Sequence, residues 1–135
     1  MKIENIIQNV EKNCNVHIFV DNDDDFNDCA YYIPEANAIG INPNISDNEA
    51  IASIIHEVAH HVDISENNNE RREIDEEIIA FAVEEIVFHN APVQGVIGEV
   101  EQDIRDSYQF NGVVSVDEDD IVEVAERVKI ICNIF

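Results

Sequence analysis

Between Ser46 and Ile64 two independent signals specify the same helix, and the rest of the chain has to be built around it. Ser46-Asp47-Asn48-Glu49 is a capping box, with serine as N-cap and glutamate three residues on. Behind it Ile51, Ile54, Ile55, Val58 and Val62 recur at helical spacing and form one apolar stripe through about Ile64. The polar run Ser65–Asn69 then breaks the pattern. Such a stripe must be buried against other elements, and 45% hydrophobic residues supply enough apolar surface to do so. The 135 residues amount to about one domain. We read residues 1–135 as one unit, a core over 1–90 with a helical extension over 91–135.

The neighbouring elements follow from the same arithmetic. Ile3, Ile6, Ile7 and Val10 predict an amphipathic helix over 2–13, and Val16, Ile18 and Val20 predict a strand. Asp21–Asp28 reads as an exposed loop. Its acids Asp23, Asp24, Asp25 and Asp28 lack the glycine and terminal glutamate of an EF-hand. Cys29–Ile33 and Ala36–Ile41, joined by Pro34-Glu35-Ala36-Asn37, predict a β-hairpin. A further helix is expected from about Glu70 to Phe88, with Ile74, Ile78, Phe81, Ala82 and Ile86 facing the core and Asn90 and Pro92 as its stop. Val93, Val96, Val100 and Ile104 suggest another, weakened by Gly95 and Gly98. Asn111-Gly112 marks a turn. Ser115-Val116-Asp117-Glu118 is a second capping box, opening a last helix through Ile121, Val124, Val128 and Ile131. The fold class is therefore α+β.

Charge narrows the function classes. Thirty acidic residues face seven basic ones, net −23. A nucleic-acid binder needs Lys and Arg to replace phosphate counterions, so direct nucleic-acid binding is disfavoured. Docking on an anionic membrane surface is disfavoured for the same reason. No apolar run is long enough for a signal peptide or a membrane span. Cys14, Cys29 and Cys132 are odd in number and widely spaced, which predicts buried free thiols and a reducing, cytoplasmic setting.

The chemistry sits in the capped helix, as His56-Glu57-Val58-Ala59-His60. Histidines four residues apart share a helical face, so two imidazoles can reach one zinc ion. Glu57 stands beside the metal, where it can take a proton from the attacking water. The adjacent His61 points elsewhere and reads as structural. A catalytic zinc needs a third protein ligand and one open position. The candidates are Glu70, Glu73, Asp75, Glu76, Glu77 and Glu84 on the following helix. Glu73 and Glu77 lie one turn apart, so one can bind metal while the other holds the free N–H of a ligand histidine. Glu76 and Glu77 compete with Glu73 for the ligand role.

Over Cys29–Val62 the sequence CAYYIPEANAIGINPNISDNEAIASIIHEVAHHV resembles the ImmA/IrrE family of small zinc metallopeptidases. The likeness rests on the hairpin, on the strand end Ile39-Gly40-Ile41-Asn42-Pro43, and on the capped helix bearing H-E-x-x-H-H. Glu73-Ile74-Asp75-Glu76-Glu77-Ile78-Ile79-Ala80 is similar to the family's E-x-E-A-N-x-F-A run, with Glu73 at the ligand position. Glu77 stands where the family has asparagine, and sliding the pattern onto Phe81-Ala82 would put Asp75 at the ligand position. Residues 93–135 match nothing in the pattern. The resemblance implies a minimal zincin-like fold, a zinc cofactor held by His56, His60 and Glu73, Glu77 as a supporting residue, and Glu57 as general base. It also implies a specific protein substrate, such as a transcriptional repressor.

The expected activity is thus zinc-dependent peptide hydrolysis. Tyr31, Tyr32, Tyr108 and His89 are candidate donors to the oxyanion. The deep negative charge favours a basic substrate. Two other classes fit the composition: an acidic mimic of DNA, and a metal-binding interaction module that does not cleave.

Overall fold

The computed structural model describes residues 2–23, 25–67, 71–110 and 117–135. Asp24, Glu70, the Asn111-Gly112 turn, Ser115 and Val116 lie outside the described residues. The fold is α+β, with five helices and a small three-stranded mixed sheet.

Helix α1 (Ile3–Asn13) buries Ile6 and Val10, and Lys12 in its last turn complements the helix dipole. Asn15, at φ 51°, turns the chain into strand β1 (His17–Val20). Asparagine tolerates this left-handed conformation better than most residues. Strands β2 (Ala30–Ile33) and β3 (Ala38–Ile41) form the expected antiparallel hairpin. Its turn is a short 3₁₀ segment, Pro34–Ala36, closed by Asn37 at φ 48°. β1 pairs with β3 in parallel, so β3 is central, buried at all four residues, and β2 is an edge.

Strand alternation sends Tyr31 and Tyr32 to opposite faces of the sheet. Tyr32 meets helix α2 (Asp47–Asn67), where its hydroxyl lies 2.8 Å from His61 Nδ1. Tyr31 lies over Gly40 on the other face, with Phe19 and Phe26 edge-on to its ring. A Cβ at position 40 would stand 2.5 Å from the Tyr31 ring, so any larger residue would have to displace that ring.

Helix α2 opens as its capping box requires, with the Glu49 amide donating to Ser46 Oγ at 3.1 Å. It runs through Asn67, three residues beyond the end of the apolar stripe. Ile51, Ile54, Ile55 and Val58 are essentially fully buried, each contributing about 1.5–3 kcal/mol by leaving water. Helix α3 (Glu73–Val87) packs against α2, against α4 (Val93–Phe110) and against α5 (Glu118–Cys132). Asn90, at φ 55°, follows α3 and turns the chain toward α4. Neither Gly95 nor Gly98 interrupts α4. The cap of α5 is Asp117, which accepts from the Asp119 amide, so the helix begins two residues later than a Ser115 cap would place it.

The face that α3 buries differs from the expected one. Ile74 and Phe81 are 43% and 57% exposed, whereas Asp75, Glu76, Ile79, Ala80, Ala82 and Val83 are buried. Two acids enter this face because arginines accompany them: Arg72 forks onto Asp75, and Arg71 Nε lies 3.7 Å from Glu76. The thiols also depart from expectation. All three are free, but Cys29 is exposed and Cys14 and Cys132 are only half-buried. Burial raises the Cys14 pKa and pushes the Cys132 thiol up to about 11. Among the described residues no helix is long and apolar enough to cross a membrane.

Candidate metal centre

His56 and His60 lie one turn apart on α2, and their Nε2 atoms face each other at 3.3 Å. The acid that joins them is Glu77, from the antiparallel helix α3. One of its oxygens is 2.8 Å from His60 Nε2 and the other 3.6 Å from His56 Nε2. Among the described residues these three alone form a group with ligand atoms all within 4.8 Å of one another.

Glu73, the acid favoured from sequence, stands outside that group and is exposed. The reason is register. Helix α3 starts at Glu73, so this residue occupies the open first turn, and Glu77 one turn deeper comes level with both histidines. Asp75 is turned away onto Arg72.

The other ring nitrogens are also faced by carboxylates. His56 Nδ1 is 3.3 Å from Glu84, and His60 Nδ1 is 3.8 Å from Glu76. Supporting groups of this kind fix ring orientation and leave Nε2 free to bind. Glu77 therefore lies between the two Nε2 atoms, and Glu84 and Glu76, rather than Glu77, face the Nδ1 atoms. Glu84 lies two turns after Glu77, and that i, i+7 spacing on one face was the available sequence signal.

The donor set fits a divalent cation. Two imidazole nitrogens and one carboxylate oxygen are a known catalytic zinc set, with a fourth position open. Donors about 2.0–2.1 Å from a tetrahedral ion stand roughly 3.4 Å apart, close to the separations seen here. Charge argues the same way. Glu57, Glu76, Glu77 and Glu84 surround the two rings, and the only Lys or Arg ion pair they make among the described residues is Arg71 with Glu76.

Glu57 points along the neighbouring face of α2 into a cleft of about 310 Å³. Burial first, then the Glu77 and Asp28 charges, push its carboxyl up to about 7 against the opposing pull of His60. For His56, burial and the neighbouring His60 lower the pKa, and Glu77 and Glu84 oppose them. For His60, burial disfavours the charged ring, but the Glu76 carboxylate facing Nδ1 and the charges of Glu57 and Glu77 outweigh it and raise the pKa.

Ser53, one turn before His56, lines the cleft with Phe81 and the approach to β2, Asp28–Ala30. Its hydroxyl escaped the sequence reading, although spacing alone places it on the His56 face. None of the four expected oxyanion donors lines the cleft. Tyr31 donates to Asp21 at 2.6 Å on the far face of the sheet. Tyr32 is engaged by His61, whose Nε2 also reaches the Cys14 carbonyl oxygen at 2.6 Å. This gives His61 the structural role expected of it. Tyr108 lies under the Arg72 guanidinium, and His89 is exposed beside Phe88.

Comparison with protein-family models, with curated proteins and with solved structures gave no match to this chain.

Proposed function

We propose that the chain is a zinc-dependent peptidase acting on a protein substrate. The observation that carries this reading is the convergence of His56 Nε2, His60 Nε2 and the Glu77 carboxylate beside the half-buried Glu57. The motif's resemblance to small zinc metallopeptidases supports it. In this reading His56, His60 and Glu77 hold the ion, and Glu84 and Glu76 keep the two rings in orientation. A bound zinc ion supplies Lewis-acid polarisation of the scissile carbonyl and acidifies water.

Glu57 takes the proton of the attacking water and returns it to the leaving amine. A carboxyl near neutral pKa is matched to both steps. In this reading Ser53, which lines the cleft with His56 and Glu57, donates to the developing oxyanion. The edge strand β2 runs from the cleft and offers unpaired backbone groups to an extended substrate. A mimic of DNA would have no use for two imidazoles turned toward one carboxylate, which ranks that reading second.

Metal analysis of chain purified without added metal, then reconstituted with zinc, is expected to give one zinc per chain. Glu57→Gln is expected to keep zinc and fold while losing about 10²–10⁴-fold in hydrolysis of a pooled peptide library. Absence of stoichiometric metal in both preparations, with the fold intact, would sink the reading. Unchanged hydrolysis by Glu57→Gln would remove the role of Glu57. Zinc binding without hydrolysis of any protein or peptide would leave a non-cleaving metal module.

A further inference from the structure

The α3 stripe that the core does not cover forms one wall of an open groove of about 210 Å³ against α4. For scale, an apolar cavity of ~150 Å³ takes up benzene. Ile78, Ala82, Val96 and Val100 make the floor, and Ile74 and Phe81 form the exposed lip. Four carboxylates rim it: Glu77 and Glu85 from α3, Glu99 and Asp103 from α4. Among the described residues no lysine or arginine lines it.

The groove is continuous with the metal centre. Glu77 lines the groove and also belongs to the group with His56 and His60. Phe81 lines both the groove and the cleft, and its ring centroid lies 4.6 Å from that of His56. A chain seated in the groove therefore passes into the cleft over Phe81.

We propose that the α3–α4 groove is the docking subsite for the substrate, and that it takes a segment bearing large aliphatic side chains flanked by lysine or arginine. The inference rests on the peptidase reading and adds the substrate class. The apolar floor calls for aliphatic groups, and the acidic rim calls for positive charge on either side of them. A second copy of the chain is a poor occupant, because each copy carries net −23.

The test uses the zinc-loaded 135-residue chain and two blocked ten-residue peptides, one with a Lys-Leu-Leu-Lys centre and one with Glu-Leu-Leu-Glu. Binding is followed by amide chemical shifts. The lysine peptide is expected to bind at least about tenfold more tightly at low salt, to weaken as salt is added, and to shift signals along α3 and α4. The double variant Glu99→Lys/Asp103→Lys changes two exposed residues outside the metal group. It is expected to lose about tenfold in lysine-peptide affinity while keeping zinc and fold. Equal affinity for both peptides, shifts confined to other elements, or no loss in the double variant would overturn the proposal. So would a concentration-dependent dimer that Phe81→Ser abolishes.

The two readings fail separately. Lysine-peptide binding at α3–α4 without hydrolysis of any substrate leaves the groove assigned and counts against the peptidase. Hydrolysis of both peptides at equal rates, unaffected by the double variant, does the reverse.

Discussion

Two charge clusters on the α2–α3 helix pair are settled in opposite ways. Toward the C-terminal end of α2, Asp63 is fully buried and receives Arg71 at 2.5 Å and Arg127 at 3.3 Å. Arg71 also forks onto Glu123 of α5, and Arg127 pairs with Glu66. Toward the middle of α2, His56 and His60 face Glu77 and Glu84, and no arginine reaches that pair of acids among the described residues. One place is closed by cations that belong to the chain. The other turns ring nitrogens and carboxylates toward one another with no lysine or arginine between them among the described residues. Glu76 is the joint, with one oxygen near Arg71 and Asn67 and the other buried without a hydrogen-bond partner, 3.8 Å from His60 Nδ1.

The largest effect is expected at the closed end. Asp63→Ala leaves two arginines without their shared buried partner and is expected to cost about 3–5 kcal/mol in urea unfolding. Glu77→Ala removes an acid from an already negative cluster and should cost the metal-free chain far less. Equal losses for the two variants would erase the distinction between the ends. The closed end also carries a pH signature. Burial works against the Asp63 charge, but the neighbouring Glu76 carboxyl, the hydrogen bonds and charge of Arg71 and a hydrogen bond from Arg127 outweigh it and hold the pKa below 3.8. Its contribution is therefore fully present above about pH 3.8 and is lost as pH falls through the folded-state value. Glu76 opposes this: burial raises its pKa, so its contribution is greatest at low pH and fades as pH rises. Asp63→Asn should flatten the acid side of a plot of urea midpoint against pH, and an unchanged slope would discount the role of Asp63.

At the open end the measure is zinc affinity. Glu84→Gln should weaken zinc by about 10–100-fold, the usual effect of removing a group that supports a ligand histidine. Glu77→Ala should weaken it further, and Glu73→Ala should leave it close to wild type. A larger loss at Glu73 than at Glu77 in isothermal titrations would return the ligand role to the first turn of α3.

How far each end could be read in the sequence follows from the range of its contacts. The histidine pair was legible because i, i+4 spacing and the Ser46 cap are local. The hairpin was legible because Pro34 and Asn37 punctuate two short apolar runs. The choice between Glu73 and Glu77 needed the first residue of α3 and its register against α2, which hydrophobic period does not supply. The same period assigned Ile74 and Phe81 to the core, because it has no means of burying Asp75 and Glu76. A signal for those acids did exist in the count of bases. In a chain with only seven basic residues, Arg71, Arg72 and Arg127 are scarce enough to be placed deliberately. Their partners nevertheless include contacts 52 and 64 residues away, beyond any local pattern.

The smallest expected effect separates scaffold stability from both ends. Gly98 lies in the interior of α4, and a Cβ added there would meet nothing within 4 Å. Glycine inside a helix costs roughly 0.5–1 kcal/mol relative to alanine, because the unfolded chain loses more freedom on folding. Gly98→Ala is therefore expected to raise unfolding stability by about that amount. It touches neither Asp63 nor the group around Glu77, so zinc affinity should stay unchanged. If zinc affinity rose together with stability, the open end would be limited by the folding of the scaffold. Stability at the Asp63 end and zinc affinity at the Glu77 end would then not be separable. If only the urea midpoint moves, the two ends are independent of α4, and losses at Asp63 and Glu77 can be compared as separate free energies.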